Sequence, residues 1–330
     1  MAKFRKILIA NRGEIAIRVM RAANEMGKST VAIFAEEDKL SLHRFKADEA
    51  YKIGEGLGPV ASYLNIKEII SVAKKAKVDA IHPGYGLLSE KPEFAKECGL
   101  AGIKFIGPTA ESMEKLGNKA NARKIAEKAG VPVIPASNIL PDNPKELVKI
   151  AENIGFPLML KASWGGGGRG MRLIKSIEEV EKNILEGKRE AENAFGNSES
   201  FLERYIKNAR HVEVQILGDK KGNIYHLWER DCSIQRRNQK VIERAPAPYL
   251  NDRQRDTVCE MATAICKQVK YECAGTVEFL MDVNTNEFFF IEVNPRIQVE
   301  HTITEEITGI DIVRAQILLS EGSNLNDAIG

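Results

Sequence analysis

Two strand-like runs joined by a single turn constrain this chain more than any other feature. Glu278 and Glu292 lie equidistant from Thr285, the centre of the turn-like stretch VNTNE between VEFLMD and FFFIEVN. An antiparallel hairpin centred there sets the two carboxylates opposite one another with Cβ atoms ~5 Å apart. Like charges at that separation repel unless a cation sits between them, and a divalent metal is the natural occupant.

The pattern continues past the hairpin. Glu292, Asn294, Arg296, Gln298 and Glu300 alternate with Ile291, Val293, Pro295, Ile297 and Val299, and a period of two puts the polar set on one side and the apolar set on the other. Oxygen ligands from Glu278, Glu292 and Asn294 suit magnesium or manganese, which bind through one or two carboxylates plus substrate phosphates. The site therefore expects a nucleotide. Fully extended, Glu292 to Glu300 would span ~26 Å, too far to serve one reacting centre, so a bend is expected near Pro295, which cannot donate to a ladder. The bland alternative is a solvated polar face on an edge strand.

Bulk properties narrow the classes. A chain of 330 residues holds two or three domains. With 48 basic against 46 acidic residues the formal charge is +2, which gives no global case for nucleic acid or an anionic membrane. No apolar run approaches the ~18 residues of a membrane span, and MAKFRKILIANRGE is too briefly apolar for a secretory signal. A cytoplasmic protein is expected. Cys98, Cys232, Cys259, Cys266 and Cys273 are odd in number and contain no Cys-x-x-Cys pair, which argues against a disulfide framework and a structural zinc.

The first hundred residues alternate strand-like and helix-like segments (KILIA, GEIAIRVMRAANEMG, STVAIFA, YLNIKEIISVAKKAK, VDAIHP, KPEFAKECGLAG, IKFIG), the order of a parallel α/β sheet with crossover helices. The turn ANRGEIA lacks Gly-x-Gly-x-x-Gly, so dinucleotide binding is rejected as the primary function. HPGYGLLSE suits a backbone loop approaching a ligand, or an ordinary tight connection. A second region opens near Ser112 with two helical stretches. Farther on, PLMLKA, SWGGGGRGM, MRLIKS and the charged stretch SIEEVEKNILEGKREAENAFG read as strand, glycine loop, strand and covering helix, the makings of a small mobile lid.

Gly165 to Gly168 form a backbone without Cβ atoms whose N–H groups can turn toward one phosphate, flanked by Lys161 and Arg169. No Gly-Lys-Ser/Thr follows, so the loop is not a Walker A motif. Lys161 lies among apolar neighbours that aim its ammonium; Lys119 near a helix start is a weaker signal alone. Glu203, Arg204, Tyr205 and Ile206 offer backbone groups and a ribose-binding carboxylate, or serve only the strand they lie in. His211 at a strand edge is similarly ambiguous. QRRNQK brings Arg236, Arg237 and Lys240 together with amides, a small oxyanion site that bicarbonate would match through Lys240, Arg296 and Gln298.

Together KASWGGGGRGM, HVEVQ, RDCSIQRRNQKVIERAPAP, GTVEFL and FIEVNPRIQVEHTITE closely resemble the biotin carboxylase component of biotin-dependent carboxylases, and ANRGEIA and HPGYGLLSE resemble its N-terminal region. Asn238 and Pro295 look more like the pyruvate carboxylases than the acetyl-CoA carboxylase subunit. The resemblance implies a Rossmann-like preATP-grasp domain at 1–115, then an ATP-grasp domain at 116–330 with its lid at about 135–205. It implies ATP contacts from Lys119, Lys161, Gly167, Gly168, Glu203 to Ile206, His211 and Asn238. One or two magnesium ions would sit on Glu278, Glu292 and Asn294, and bicarbonate on Lys240, Arg296, Gln298 and Val299. Glu300 would be the general base, with Arg296 and Lys240 beside it in the catalytic set.

The activity implied is ATP-dependent carboxylation of biotin through carboxyphosphate. Biotin would arrive on a carrier domain and pass to a carboxyltransferase, on the same or a separate chain, within a homo-oligomer. An acyl-CoA carboxylase component and a carbamoyl-phosphate-synthetase-like ligase are the competing readings. Family members continue into a C-terminal subdomain carrying a further biotin-facing arginine, whereas this sequence stops at Gly330. Nucleotide and metal binding are expected without that subdomain; full biotin carboxylation is expected to need it.

Overall fold

The computed structural model describes residues 3–164, 171–237 and 239–330. The expected parallel sheet is present as β1 (Lys6–Ile9), β2 (Ser29–Phe34), β3 (Glu49–Lys52), β4 (Ala80–His82) and β5 (Lys104–Phe105), in spatial order β3-β2-β1-β4-β5. The helices Gly13–Glu25, Ile66–Lys75 and Pro92–Leu100 make the crossovers. Both faces of this sheet are covered, which explains the near-continuous apolar runs KILI and TVAIF. β3 was not among the expected strands. It is a four-residue edge strand, EAYK, with charged residues and every second side chain exposed, so neither length nor hydrophobicity betrays it.

The strand order reverses between β1 and β4, and the loops leaving their carboxyl ends are stitched together there. The Asn11 amide donates to the carbonyls of Pro83 (2.7 Å) and Tyr85 (2.8 Å). Gly84 sits at φ +64°, and a Cβ there would come within 2.8 Å of the Asn11 amide nitrogen. Glycine is thus required both for the turn and for the close approach.

The three-stranded antiparallel sheet consists of β6 (Leu158–Ala162), β7 (Arg172–Ile174) and β8 (Ser200–Arg204), in order β7-β6-β8. The amphipathic helices Pro144–Ile154 and Val180–Phe195 cover it through Leu147, Ala151, Val180 and Ile184. A larger antiparallel sheet follows: β9 (Ala209–Gly218), β10 (Ile224–Arg236), β11 (Gln239–Arg244), β12 (Cys273–Asp282) and β13 (Phe288–Asn294), ordered β11-β10-β9-β12-β13. Helix Asp252–Gln268 opens with a capping box between Asn251 and Gln254 and buries Val258, Cys259, Ala262 and Ile265 against that sheet. The cysteines are all free and buried, and Cys259 and Cys266 help fill this core.

The helices of residues 312–329 bridge the two sheets, packing on Leu217, Leu227 and Ala274 of the large one as well as on the first. Ile312, Val313, Ile317 and Leu325 share one core with Ile7, Ile9, Val19 and Met20 of the first sheet and its helix. Lys28 seals this junction: its ammonium reaches Glu321 at 2.5 Å, both side chains are buried, and Glu321 also accepts from the backbone N–H of Phe4. Removing one partner of a buried pair strands the other charge. Lys28→Met should therefore lower unfolding free energy by ~3–5 kcal/mol in urea titrations, while Lys28→Met combined with Glu321→Met should recover most of it; equal losses in the two variants would contradict this account.

Candidate active site

The β12–β13 hairpin pairs Glu278 directly with Glu292, as the sequence pattern required. The route to that pairing was not foreseen. Near the turn Met281 pairs with Phe288 and Phe279 with Phe290, so the register steps by one residue before Glu278 meets Glu292. Ile291 is the extra residue of a β-bulge. Without the bulge Glu292 and Asn294 would share a face with Phe288 and Phe290, which are buried in the core with Phe279 and Met281. The bulge turns the two polar residues to the opposite face, beside Glu278. Phe279 and Phe290 pack edge to face with centroids 6.3 Å apart, which pins the register on the core side.

The expected bend follows at once. Strand β13 ends at Asn294, the N–H of Arg296 bonds back to the Asn294 carbonyl at 2.8 Å, and a helix starts at His301 with Glu300 as its N-cap. Folding the segment this way brings Glu300 back to Glu278. The strict alternation stops at the bend: Ile297 and Gln298 are both buried, whereas the Val299 side chain is exposed rather than on an apolar face.

Lys240 is the centre of the cluster. Its ammonium contacts Glu213, Glu278 (2.8 Å) and Glu300 (2.7 Å). Burial opposes the ammonium charge, yet the three carboxylates outweigh it and hold the Lys240 pKa above the ordinary lysine range. Burial likewise raises Glu300 and Glu278, but Lys240 pulls both down, joined at Glu278 by His211, so both stay ionised at neutral pH. His211 Nε2 lies 2.9 Å from Glu278 Oε2, and its pKa is raised because Glu278 more than offsets burial. Glu278 Oε1 also accepts from the amides of Asn294 (2.8 Å) and Gln298 (3.2 Å).

On the other side of the hairpin Lys119 pairs with Glu292 at 2.9 Å, and Lys161 pairs with Glu203 across the neighbouring strands β6 and β8. The need for cations beside the opposed acids is thus met within the protein by Lys119 on one and by Lys240 and His211 on the other. Arg296 donates to Asn294 Oδ1 (3.2 Å) and lies 3.2 Å from Glu90, which the HPGYGLLSE segment carries over from the first sheet. That segment therefore reaches the site from the switch point of the parallel sheet, where such folds place ligands.

Other expectations divide. Ile206 joins Ile134 and Phe289 in a small apolar cluster beside the hairpin, while the Arg204 side chain is exposed and Tyr205 is half-buried. Of the QRRNQK cations only Lys240 enters the cluster; Arg236 faces the opposite side of the hairpin and Arg237 lies in the β10–β11 turn, and both are exposed. Gly167, Gly168 and Asn238 lie outside the described residues. Sequence reasoning missed Glu213 and Arg230 of β9 and β10. Both are fully buried and joined at 2.6 Å; two ionised residues inside the strand-like HVEVQILG and HLWERDCS were the available signal.

The donor set Glu278, Glu292 and Asn294 is all oxygen and carries two full negative charges, the chemistry that suits a hard divalent cation. Among the described residues no helix is long and apolar enough to cross a membrane.

Comparison with known proteins identifies the family. Residues 3–113 match the model of the biotin carboxylase N-terminal domain, and 118–328 that of the carbamoyl-phosphate synthase L chain ATP-binding domain. The pyruvate carboxylase of Staphylococcus aureus is 57% identical over 326 residues, and the human mitochondrial pyruvate carboxylase 54% identical over 323, each alignment covering 98% of this chain. The chain spans only 28% and 27% of those relatives' lengths. A Rhizobium etli pyruvate carboxylase solved with the allosteric activator acetyl coenzyme A superposes with TM-score 0.94 at 60% identity, covering 98% of this chain and 29% of that one. Biotin carboxylase from Campylobacter jejuni, in an ATP-type complex, superposes with TM-score 0.95 at 45% identity, covering 99% of this chain and 73% of that one. With family models matching along nearly its whole length and a solved relative covered over most of its own, the chain belongs to the biotin carboxylases, a Rossmann-like sheet followed by an ATP-grasp fold.

Proposed function

We propose that this chain performs the first half-reaction of a pyruvate carboxylase, the ATP-dependent carboxylation of carrier-bound biotin by bicarbonate. The observation that carries the reading is Lys240 held between Glu278, beside the opposed Glu292, and Glu300, with Arg296 and Gln298 on the same bend. This arrangement sets a cation-binding pair of acids, anion-binding donors and an ionised carboxylate side by side. A Hydrogenobacter thermophilus 2-oxoglutarate carboxylase biotin carboxylase domain, 46% identical, has been solved as a dimer with MgADP and bicarbonate. Pyruvate is preferred as the final acceptor because the pyruvate carboxylases are more similar, at 50–57% identity.

In this reading the division falls near residue 115, and the 135–205 region with its three-stranded sheet is the mobile lid. Lys161 and Lys119, with Gly167 and Gly168, neutralise the triphosphate, and Ile206 with its apolar cluster and the Glu203–Ile206 backbone receive the adenosine, assisted by His211 and Asn238. Magnesium on Glu278, Glu292 and Asn294 would supply charge neutralisation at the phosphates. Lys240, Arg296, Gln298 and the Val299 backbone hold bicarbonate. Glu300, kept ionised by Lys240, removes its proton so that the bicarbonate oxygen attacks the γ-phosphorus and ADP leaves. Carboxyphosphate then collapses to carbon dioxide and phosphate. The phosphate takes the ureido proton of biotin, Arg296 steadies the resulting oxyanion, and the ureido nitrogen adds to the carbon dioxide to give carboxybiotin. Because the intermediate hydrolyses readily, a closed lid matters. The partners are a carrier domain and a carboxyltransferase within a homo-oligomer.

Two expected outcomes test this reading. Glu300→Gln should reduce bicarbonate-dependent phosphate release by about 10²–10⁴-fold while nucleotide-analogue binding survives; cleavage at the parental rate would refute the role of Glu300. The second concerns pH. The folded-state pKa values of Glu278 and Glu300 are depressed, so the stability they contribute is present above the unfolded carboxylate pKa of about 4.3 and is lost as pH falls through the lower folded values. Urea titrations from pH 7 to 3 should therefore show the wild type losing more stability on acidification than Lys240→Met, whose carboxylates lack that partner. Parallel curves would rule out the ion cluster as their source.

A further inference from the structure

Arg230 sits in the middle of β10, completely shielded from solvent, one layer behind the residues assigned to bicarbonate. Five protein acceptors surround it. Nε donates to Glu213 Oε1 at 2.6 Å, one terminal nitrogen to Gln215 Oε1 and Thr304 Oγ1, both at 2.9 Å, and the other to Thr276 Oγ1 at 3.2 Å and Gln298 Oε1 at 3.0 Å. A guanidinium has five N–H donors and no acceptor, so each donor has one partner.

Two consequences follow for the site in front of it. A donor-only group can bind only the carbonyl oxygen of Gln298. The amide nitrogen is therefore turned the other way, 3.2 Å from Glu278 and toward the cluster of Lys240 and Glu300. Arg230 also occupies one oxygen of Glu213, which leaves the other for Lys240. Three carboxylates, Glu213, Glu278 and Glu300, face Lys240; with Arg230 behind them the group carries a net charge of about −1, and without it about −2, which would disfavour an entering anion.

We propose that Arg230 is a positioning residue for bicarbonate, aiming the Gln298 amide nitrogen and screening Glu213 without touching substrate. The proposal rests on the assignment of this site to bicarbonate. A residue that merely braced β9, β10, β12 and the helix His301–Thr308 would affect stability and every substrate alike. A positioning residue separates them.

The test measures bicarbonate-dependent ATP cleavage in the full-length protein for the wild type, Arg230→Lys, Arg230→Met and Thr304→Val, with Tm and nucleotide-analogue affinity alongside. Arg230→Lys keeps the charge and loses the fork, so the KM for bicarbonate should rise about tenfold or more while kcat and nucleotide affinity stay within about threefold. Arg230→Met should add an upward shift of the acidic limb of kcat/KM, because Glu300 loses a nearby cation. Should both arginine variants fail to fold, Thr304→Val decides, since it removes one acceptor from the fork and no charge; a KM rise of about threefold at unchanged nucleotide affinity supports the proposal. An unchanged bicarbonate KM in a folded variant, or losses that run in parallel for bicarbonate and nucleotide, would overturn it. Bicarbonate-independent cleavage by the wild type would overturn the site assignment itself, and is seen before any variant is compared.

Discussion

One ammonium group among three carboxylates holds this site together. Lys240 carries Glu213, Glu278 and Glu300 within contact distance in a largely buried setting, where an unmatched charge costs several kcal/mol and a matched one is rigid. Each acid is positioned by a different element: Glu213 by β9, Glu278 by β12 and Glu300 by the bend after β13. The lysine itself comes from the β10–β11 hairpin. Four separate pieces of chain thus converge on one charge. Glu278 and Glu300 remain ionised because Lys240 is there, and Lys240 remains protonated because the carboxylates surround it.

Much of the site was legible because charge inside a β-strand is rare and period two is simple. The Glu278–Glu292 pairing and the bend near Pro295 both emerge from spacing. The bulge at Ile291 did not, since a bulge leaves no mark in composition, and FFFI reads as one uninterrupted run. Symmetry about Thr285 nonetheless gave the correct partners, because it is the bulge that restores the symmetric register after the turn sets a different one. The Val299 side chain leaves the apolar face for a related reason: once the strand ends, alternation no longer governs which way a side chain faces.

The fold was legible at the level of layers. Apolar runs without alternation marked the parallel strands. The charged edge strand β3 was not recognised, since solvent rather than core dictates its composition. Arg230 and Glu213 escaped as functional candidates because each reads alone as a solvated charge. Only the cross-strand pairing of β9 with β10, which sets Arg230 opposite Glu213, makes them a buried pair.

The core shared by the first sheet and the last helices carries a consequence for biogenesis. Lys28 meets Glu321 across 293 positions, and the Phe4 amide meets the same carboxylate across 317. During synthesis from the N-terminus, the part of this apolar face that the last helices cover stays open until nearly the whole of this sequence has been delivered. Long-range closure of this kind is slow and leaves apolar surface open to unwanted association. The opening half of the polypeptide therefore has to wait, partly naked, for its closing helices, and a chaperone that shields it in the interval would raise yield more than one acting after release.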